Sequence, residues 1–596
     1  MKMLVTTAIE KTWQDSDQIL FLGEWCKLYD RKLKWEKIDH NVAPFHWDDR
    51  EKFNKDYNYL ELFHNRLLIA LTGTLNSHHN VEHSSRYWQI LLDPWLMSYV
   101  AVLFDHWECI RTLFENGNNN ELVTILPNII ENIEPPFSYE EFANELLLDE
   151  WHYVVFSKII EKYYKDKCNI LRINFTSSNK VVDDLSLYKK ISWKRSIINF
   201  YDYCAGKFIR KYKVVFLVPY FKLLTFIKIN FIIGQTPRLF RNEFSSNNKS
   251  MKINCNEYEK SGRKDMVINM QTQSLFEEFV CSEILENIPS TLIEKYKILS
   301  DYVGNINIQT KVIITANSHW GDPIAKAWMA EQTNNKVKLI IAEHGGSFPA
   351  YKELFNFEEN ISDYKITWFK PYHKKHIRLP PSKLVSIAGW WTNKAWNHPL
   401  RSSCSIIGHE IPRYVTRAMF YPMASQGKSV FDLTMKFYEN LSADIKKHVL
   451  VKPNKDCGWN SRSRFNDLLG KDRVGPAVSM SLSSIFFRSK IIVCTYPETT
   501  FSEAMASGVP TILFYSKEFN ERNEVVNPLL KVLIESKIVF HDPNEAALHL
   551  NSIWHNPFQW WNSSQVINAR NEFMNSALDL DKNWSNKWKL FLDSVT

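Results

Sequence analysis

The chain has 596 residues, 45% of them hydrophobic and 23% charged, which suits a large water-soluble protein of two to four domains. Its 73 basic residues against 66 acidic ones leave a formal charge of only +7, which weighs against a dedicated nucleic-acid binder with concentrated basic charge. Nine scattered cysteines, none in CxxC spacing, argue against a disulfide framework or zinc ribbon and fit a reducing, cytoplasmic compartment. The start, MKMLVTTAIEKTW, has no cleavable signal pattern and reads as a strand and a turn.

Short strands are predicted at 3–9 and 18–22. Leu60 to Asn116 has helical spacing, and so does Tyr139 to Tyr164. A strand-like LRINF follows at 171–175, with helices predicted at 191–211 and 272–303. Lys213 to Gly234 is strongly apolar but is interrupted by Lys222, Lys228 and Pro219. No uncharged run of about 18 residues exists, which argues against a spanning helix. The segment reads as a buried strand and a core helix. The alternative is an in-plane membrane anchor, flanked by Lys207, Arg210, Lys211, Arg238 and Arg241. Ser245 to Arg263 is polar and reads as a loop.

From Lys311 the alternation becomes regular. KVIITA, KLIIAEHGG and YKITWF are strands, with a helix at DPIAKAWMAEQ. A domain boundary is expected between Leu379 and Asn397. CSIIGHEI then opens a second series: helix 429–447, strand VLVKPN, helices 461–470 and 480–488, then VCTYPETTFSEAMASGVPTILF as strand, helix and strand. Helix 524–536, strand KIVF, helix 543–554 and a helical tail over 559–596 complete it. Strands alternating with helices imply α/β architecture with parallel sheets. The expected division is an N-terminal acceptor-side domain over 1–390 with large helical insertions, a C-terminal donor domain over 391–558, and terminal helices over 559–596 crossing back to the first domain. Two Rossmann-like domains with a site between them constitute a GT-B-like fold.

Four constellations carry candidate chemistry. In VCTYPETTFSEAMASG the hydroxyls of Thr499, Thr500 and Ser502, with the backbone N–H groups of a helix start, are expected to face one spot at a strand's carboxyl end. A βαβ unit without a ligand has the same spacing. Glu498 stands at that helix start, and Glu503 could accept the hydroxyls of a ribose or cap the helix. Glu343-His344-Gly345-Gly346 ends another strand, where the glycines admit close approach of a ligand and His344 has the pKa range of a general base. Lys452, with Arg464 on the next element, could neutralise a phosphate or form a solvated face. Asn317 and His319 lie in a polar loop expected to face the same cleft as His344.

GxxxxGK[ST], HExxH, GxSxG and GxGxxG are all absent, which disfavours a dinucleotide cofactor. No acidic metal-diphosphate site is expected, and no cofactor beyond the substrate.

The segments LVTTAIEKTW with ILFLGEWCKLY, EHGGSFPAYKELFNFEENISDYKITWF, and VCTYPETTFSEAMASGVPTILF resemble the bacterial transferases of O-antigen and surface-polysaccharide gene clusters. The resemblance runs along nearly the whole chain, and Glu358, Ser362-Asp363 and Trp368 fall in the pattern. It implies glycosyl or related transfer. Glu343 stands where the family more often has Gln, which makes His344 the stronger catalytic candidate. The last motif is also similar to the donor half of GT-B glycosyltransferases and to the CDP-polyol phosphotransferases of teichoic-acid assembly. The expectation is a metal-independent GT-B glycosyltransferase with a nucleotide-activated sugar, CMP-linked acidic sugars included, as donor. A glycan or lipid-linked glycan is the expected acceptor, with peripheral membrane contact and no nucleic acid. A CDP-polyol phosphotransferase and a non-catalytic assembly scaffold remain as alternatives.

Overall fold

The computed structural model describes residues 2–13, 18–116, 122–130, 133–175, 193–244, 260–346, 348–389, 401–475 and 481–596. Most of the loop expected at Ser245 to Arg263, and part of the boundary expected at Leu379 to Asn397, lie outside them.

Among the described residues, fifteen strands form three five-stranded sheets, parallel throughout. The first has the order β3-β2-β1-β4-β5 and is built from β1 (Lys2–Val5), β2 (Gln18–Phe21), β3 (Asp39–Val42), β4 (Leu122–Pro127) and β5 (Asn169–Ile173). The second runs β10-β9-β8-β7-β6, from β6 (Val214–Leu217), β7 (Val312–Thr315), β8 (Lys338–Ala342), β9 (Tyr364–Thr367) and β10 (His376–Arg378). The third has the order β12-β11-β13-β14-β15, from β11 (Ser403–Ile407), β12 (Val449–Lys452), β13 (Ser489–Cys494), β14 (Thr511–Phe514) and β15 (Val539–Phe540). The second and third sheets face each other as the two Rossmann-like units of a GT-B-like arrangement. The first sheet is an additional unit in the N-terminal half.

The helices needed to place the site are α1 (Arg50–His79), α2 (Ser85–Asn116), α3 (Trp193–Phe208), α4 (Leu223–Ile232), α5 (Pro323–Asn334), α6 (Gly427–Glu439), α7 (Thr499–Ser507) and α8 (Trp584–Val595). The Asp49 carboxylate caps α1 by accepting from the N–H groups of Glu51 and Lys52. Asn80, at φ 53°, ends α1 in the left-handed conformation that asparagine tolerates. The expected helical stretch from Leu60 to Asn116 is therefore two helices. The stretch 139–164 also breaks, into Tyr139–Glu145 and Asp149–Ile159, and 272–303 breaks around Pro289 into Leu275–Asn287 and Tyr296–Gly304. A proline lacks the N–H that would carry the helix through.

One apolar core runs through the first two sheets, from Met3 and Phe21 through Trp88 and Trp95 of α2 to Ile313, Trp328 and Leu339. A second core joins the second and third sheets, with Phe348 and Trp368 packed among Ile492, Phe501 and Phe573. The C-terminal α8 packs Trp584, Trp588 and Leu592 against Val214, Phe216 and Ile229 of the second sheet and its α4. Among the described residues no helix is long and apolar enough to cross a membrane.

Candidate active site

A cavity of about 330 Å³ opens where the carboxyl ends of the second sheet meet the start of α7. Asn317 follows β7, Glu343 to Gly346 follow β8, and Trp368 follows β9. Glu498 enters from the third sheet, and Arg417 and Tyr421 from the segment joining β11 to α6. The volume sits at the lower end of ligand pockets, roughly 300–1,000 Å³.

Glu343 extends β8 by one residue, its N–H donating to Ile366 O at 2.9 Å. Its carboxyl folds back and accepts from Trp368 N at 2.7 Å, while the Trp368 indole N–H donates to the Glu343 carbonyl at 3.0 Å. Burial pushes the Glu343 carboxyl up to about 8, against the pull of Lys365. It keeps its proton at neutral pH and pins the end of β9. His344 is open on one side and lies against Tyr220, with ring centroids 5.9 Å apart. Desolvation by the walls lowers its pKa, so at neutral pH the imidazole is uncharged and able to accept a proton.

Below these residues lies a charged floor. Lys365 Nζ is 3.0 Å from Glu358 Oε2 and 2.8 Å from Glu359 Oε1. Burial works to raise Glu358, but Lys365 and His319 outweigh it and hold the carboxyl well below the usual range. The same balance, with Lys365 and His376 as partners, brings Glu359 to about 2. Glu353, by contrast, is raised by burial. Five glutamates thus line the cavity with Lys365 and Arg417 as the cations there, and Arg417 lies 4.4 Å over the ring of Trp320.

His319 differs from expectation. It is buried behind the wall and does not line the cavity, because its one-turn helix directs Nε2 onto the Glu358 carboxylate, to which it donates at 3.0 Å. It positions Glu358 rather than touching a ligand.

The hydroxyls at the start of α7 do not converge on one open spot. The Thr500 hydroxyl is bonded to Tyr496 at 2.7 Å, and buried Ser502 donates to Gly346 O at 3.0 Å. Glu503 neither caps the helix by a side-chain bond nor stands open, since it pairs with Lys383 at 2.7 Å. Thr499 meets the glycine turn directly: a Cβ on Gly345 would fall 2.0 Å from its Oγ1. Gly346, at φ 144°, adopts a backbone that side-chain-bearing residues rarely take. The start of α7 is therefore covered by the Gly345-Gly346 turn of the facing sheet.

Lys452 and Arg464 lie elsewhere, by β11 and β12. Lys452 ends β12, where its carbonyl accepts from Gly408 N at 2.9 Å. Arg464 donates to Trp459 O at 2.8 Å and covers the rings of Tyr29 and Phe431. The strand order of the third sheet reverses between β11 and β13, the place where open α/β sheets bind ligands. There His409 stacks on Tyr496 at 4.1 Å. Glu410 is almost fully buried, accepts from Cys457 N at 2.7 Å with one oxygen and has no partner for the other. The Trp459 indole N–H, also buried and without a partner, lines the same small pocket. The signal for these residues was Gly408-His409-Glu410 directly after a β-branched strand, within CSIIGHEI.

Two groups of described residues bring three metal-ligand atoms within 4.8 Å of one another: His46 with Asp105 and Cys109, and His46 with Asp56 and Glu108. Neither lines the cavity. In the first, the Asp105 carboxylate already accepts from His46 at 3.0 Å and from His106 at 3.1 Å.

A family described as "LIC12162 family transferase" matches residues 2–592. Among curated proteins none matches the sequence. Two solved structures are similar at low identity. MurG of Acinetobacter baumannii has 10% identity and a TM-score of 0.30, over 64% of this chain and all of the other. A glycosyltransferase from Rickettsia africae has 11% identity and a TM-score of 0.31, over 65% of this chain and 99% of the other.

Proposed function

The chain belongs to the LIC12162 transferase family, and from that premise we propose that it is a glycosyltransferase moving a sugar from a nucleotide-activated donor to a surface-polysaccharide acceptor of O-antigen or capsule type. The observation that carries this reading is the cavity shared by two facing parallel sheets, with uncharged His344 on one wall and Glu498 on the other. Residues 1–390 supply the acceptor side, 391–558 the donor side, and 559–596 close back on the first.

The acceptor hydroxyl lies beside His344 and Asn317. His344 takes its proton as the acceptor oxygen bonds to the sugar's anomeric carbon. The bond from that carbon to the nucleotide phosphate breaks, and the nucleotide leaves with the electron pair. The donor nucleotide lies at the β11–β13 crevice, by His409, Tyr496 and Glu410, with Arg464 and Lys428 lining the same pocket as cations and Lys452 at the end of β12. Helix starts and cations suffice to hold such a leaving group without a metal. Carboxylates accept sugar hydroxyls well, so Glu358 and Glu359, held ionised beside Lys365, favour a neutral sugar in the cavity. A CMP-linked acidic sugar would bring its own carboxylate against them.

A thermal-shift panel of CMP, CDP, UDP and GDP tests the reading. A rise with one of them, followed by transfer of a sugar from the matching donor, supports it. If none raises the melting temperature and no donor is consumed, the chain is a scaffold. If the transferred group contains phosphorus, it is a polyol phosphotransferase.

A further inference from the structure

The chain's excess of positive charge is concentrated in one segment. Between Ile191 and Arg241 the sequence has ten Lys or Arg and a single acidic residue, Asp202, while the other 545 residues hold 63 basic against 65 acidic. Asp202 and Arg238, 3.9 Å apart, are both buried, so neither contributes charge at the surface. The Asp202 carboxylate accepts the backbone N–H groups of Leu239, Phe240 and Arg241 at 2.7, 3.1 and 2.8 Å. Helix α3 is thereby docked by its polar side. Its other side carries Ile197, Phe200 and Phe208, which are 58, 69 and 85% exposed. At 100° per residue these three form one stripe, and a helix of a water-soluble protein normally turns such a stripe inward. Lys207 borders the stripe, 4.6 Å over the ring of Tyr203, and exposed Arg210 and Lys211 follow.

The pattern repeats across the edge strand β6. Helix α4 buries Phe226 and Ile229 in the core and exposes Leu224, Lys228 and Phe231, at i, i+4 and i+7. The loop from β6 to α4 begins at exposed Val218 and lays Tyr220 on His344. This loop therefore reaches the rim of the cavity.

We infer that the outer face of α3, with α4 and the loop between β6 and α4, seats the protein on an anionic lipid surface. An apolar stripe ringed by Lys and Arg, with no exposed carboxylate from its own segment, complements acyl chains beneath anionic headgroups. Aromatic side chains at such positions match the interfacial zone. This seating stands on the surface alone. That it presents a lipid-carried acceptor to His344 rests on the glycosyltransferase reading.

The test is flotation of the full chain with phosphatidylcholine vesicles, and with vesicles in which about one third of the lipid is phosphatidylglycerol. Binding to the anionic vesicles should exceed binding to the neutral ones at least about tenfold and should fall as salt rises. The double variants Phe200→Glu/Phe208→Glu and Lys207→Glu/Lys211→Glu should each lose about tenfold or more while melting as wild type, because the changed side chains are exposed. Wild-type protein that ignores anionic vesicles, or variants that bind them equally well, would overturn the inference. Self-association abolished by Phe208→Glu, without vesicle binding, would assign the face to a second copy and overturn it too. A nucleotide-induced rise in melting temperature that persists in the variants, in either case, leaves the transferase reading standing by itself.

Discussion

His344 is the residue on which the chemistry turns. If it takes the acceptor proton, His344→Ala should lower kcat roughly 10²- to 10⁴-fold with donor affinity little changed. Its lowered pKa gives the pH profile a definite shape: kcat should fall on the acid side only as His344 protonates, below the usual histidine value of about 6.5. An acid limb centred above that value would point to another base. Glu343 makes a separate prediction. Its pKa of about 8 in the folded protein lies above the unfolded value, so the folded state binds the extra proton. The resulting stability is fully present at acid pH and is lost as pH rises towards 8. Glu343→Gln keeps an acceptor for Trp368 N and removes the titration. The variant should gain on wild type steadily from pH 5 to 8, read as melting temperature against pH. Equal slopes for the two proteins would show that Glu343 does not hold a proton. At this scale the sequence pointed to Glu343, His344 and the glycines, because strand and turn are contiguous. It could not point to Lys365, Arg417 or Tyr421, which β9 and the segment joining β11 to α6 deliver from distant parts of the chain. Nor could it tell that Thr500 and Ser502 are engaged by Tyr496 and Gly346.

Among the elements, the contact between the glycine turn and α7 is the tightest constraint. A methyl group on Gly345 would meet the Thr499 hydroxyl at 2.0 Å and its Cβ and Cγ2 at 3.1 Å. Gly345→Ala should destabilise the protein by about 1–3 kcal/mol, the usual cost of overpacking, and should reduce turnover as the two sheets are wedged apart. Thr499→Ala, introduced with it, removes two of the three clashing atoms and should recover part of the loss. Strict additivity of the two changes would rule this wedge out. Arg522 forms the second clamp. It is buried, donates to Phe348 O at 2.9 Å and to Glu498 at 3.0 Å, and belongs to a short antiparallel bridge with Ala350. Arg522→Met leaves Glu498 without its cation and should cost about 3 kcal/mol in denaturant unfolding, with partial recovery in the double variant with Glu498→Gln. Apart from β10, which reads only HIR at an edge and was not expected, the strands of the second and third sheets were legible because their apolar runs end in glycine, proline or polar turns. The first sheet was only half legible: β4, a short buried run of LVTILP, was not expected, nor was β3. β3 reads DHNV and alternates between exposed and half-buried positions at an edge, so it carries no hydrophobic signal.

At the scale of the molecule, three sheets behave as one body only if their joints are strong. The core from Met3 to Ala424 spans the first and second sheets, and Phe348, Trp368 and Phe573 join the second to the third. Arg50 of α1 adds a two-pronged pair with Glu521, at 2.6 and 2.9 Å, that links the N-terminal half to the third sheet. Sequence analysis found the alternation that builds the sheets. Joints between residues hundreds of positions apart leave no local trace in it. With such shared cores, calorimetry should record one unfolding transition, although chains of this length often show several. A nucleotide that binds the third sheet then stabilises the whole. At about one hundred times its dissociation constant it adds roughly 2.7 kcal/mol, which should move that single transition upward as a unit. EDTA should leave both the transition and the shift unchanged if donor binding is metal-independent. A split trace in which the nucleotide moves only one component would make the third sheet an independent unit, and loss of the shift in EDTA would place a metal in the donor site.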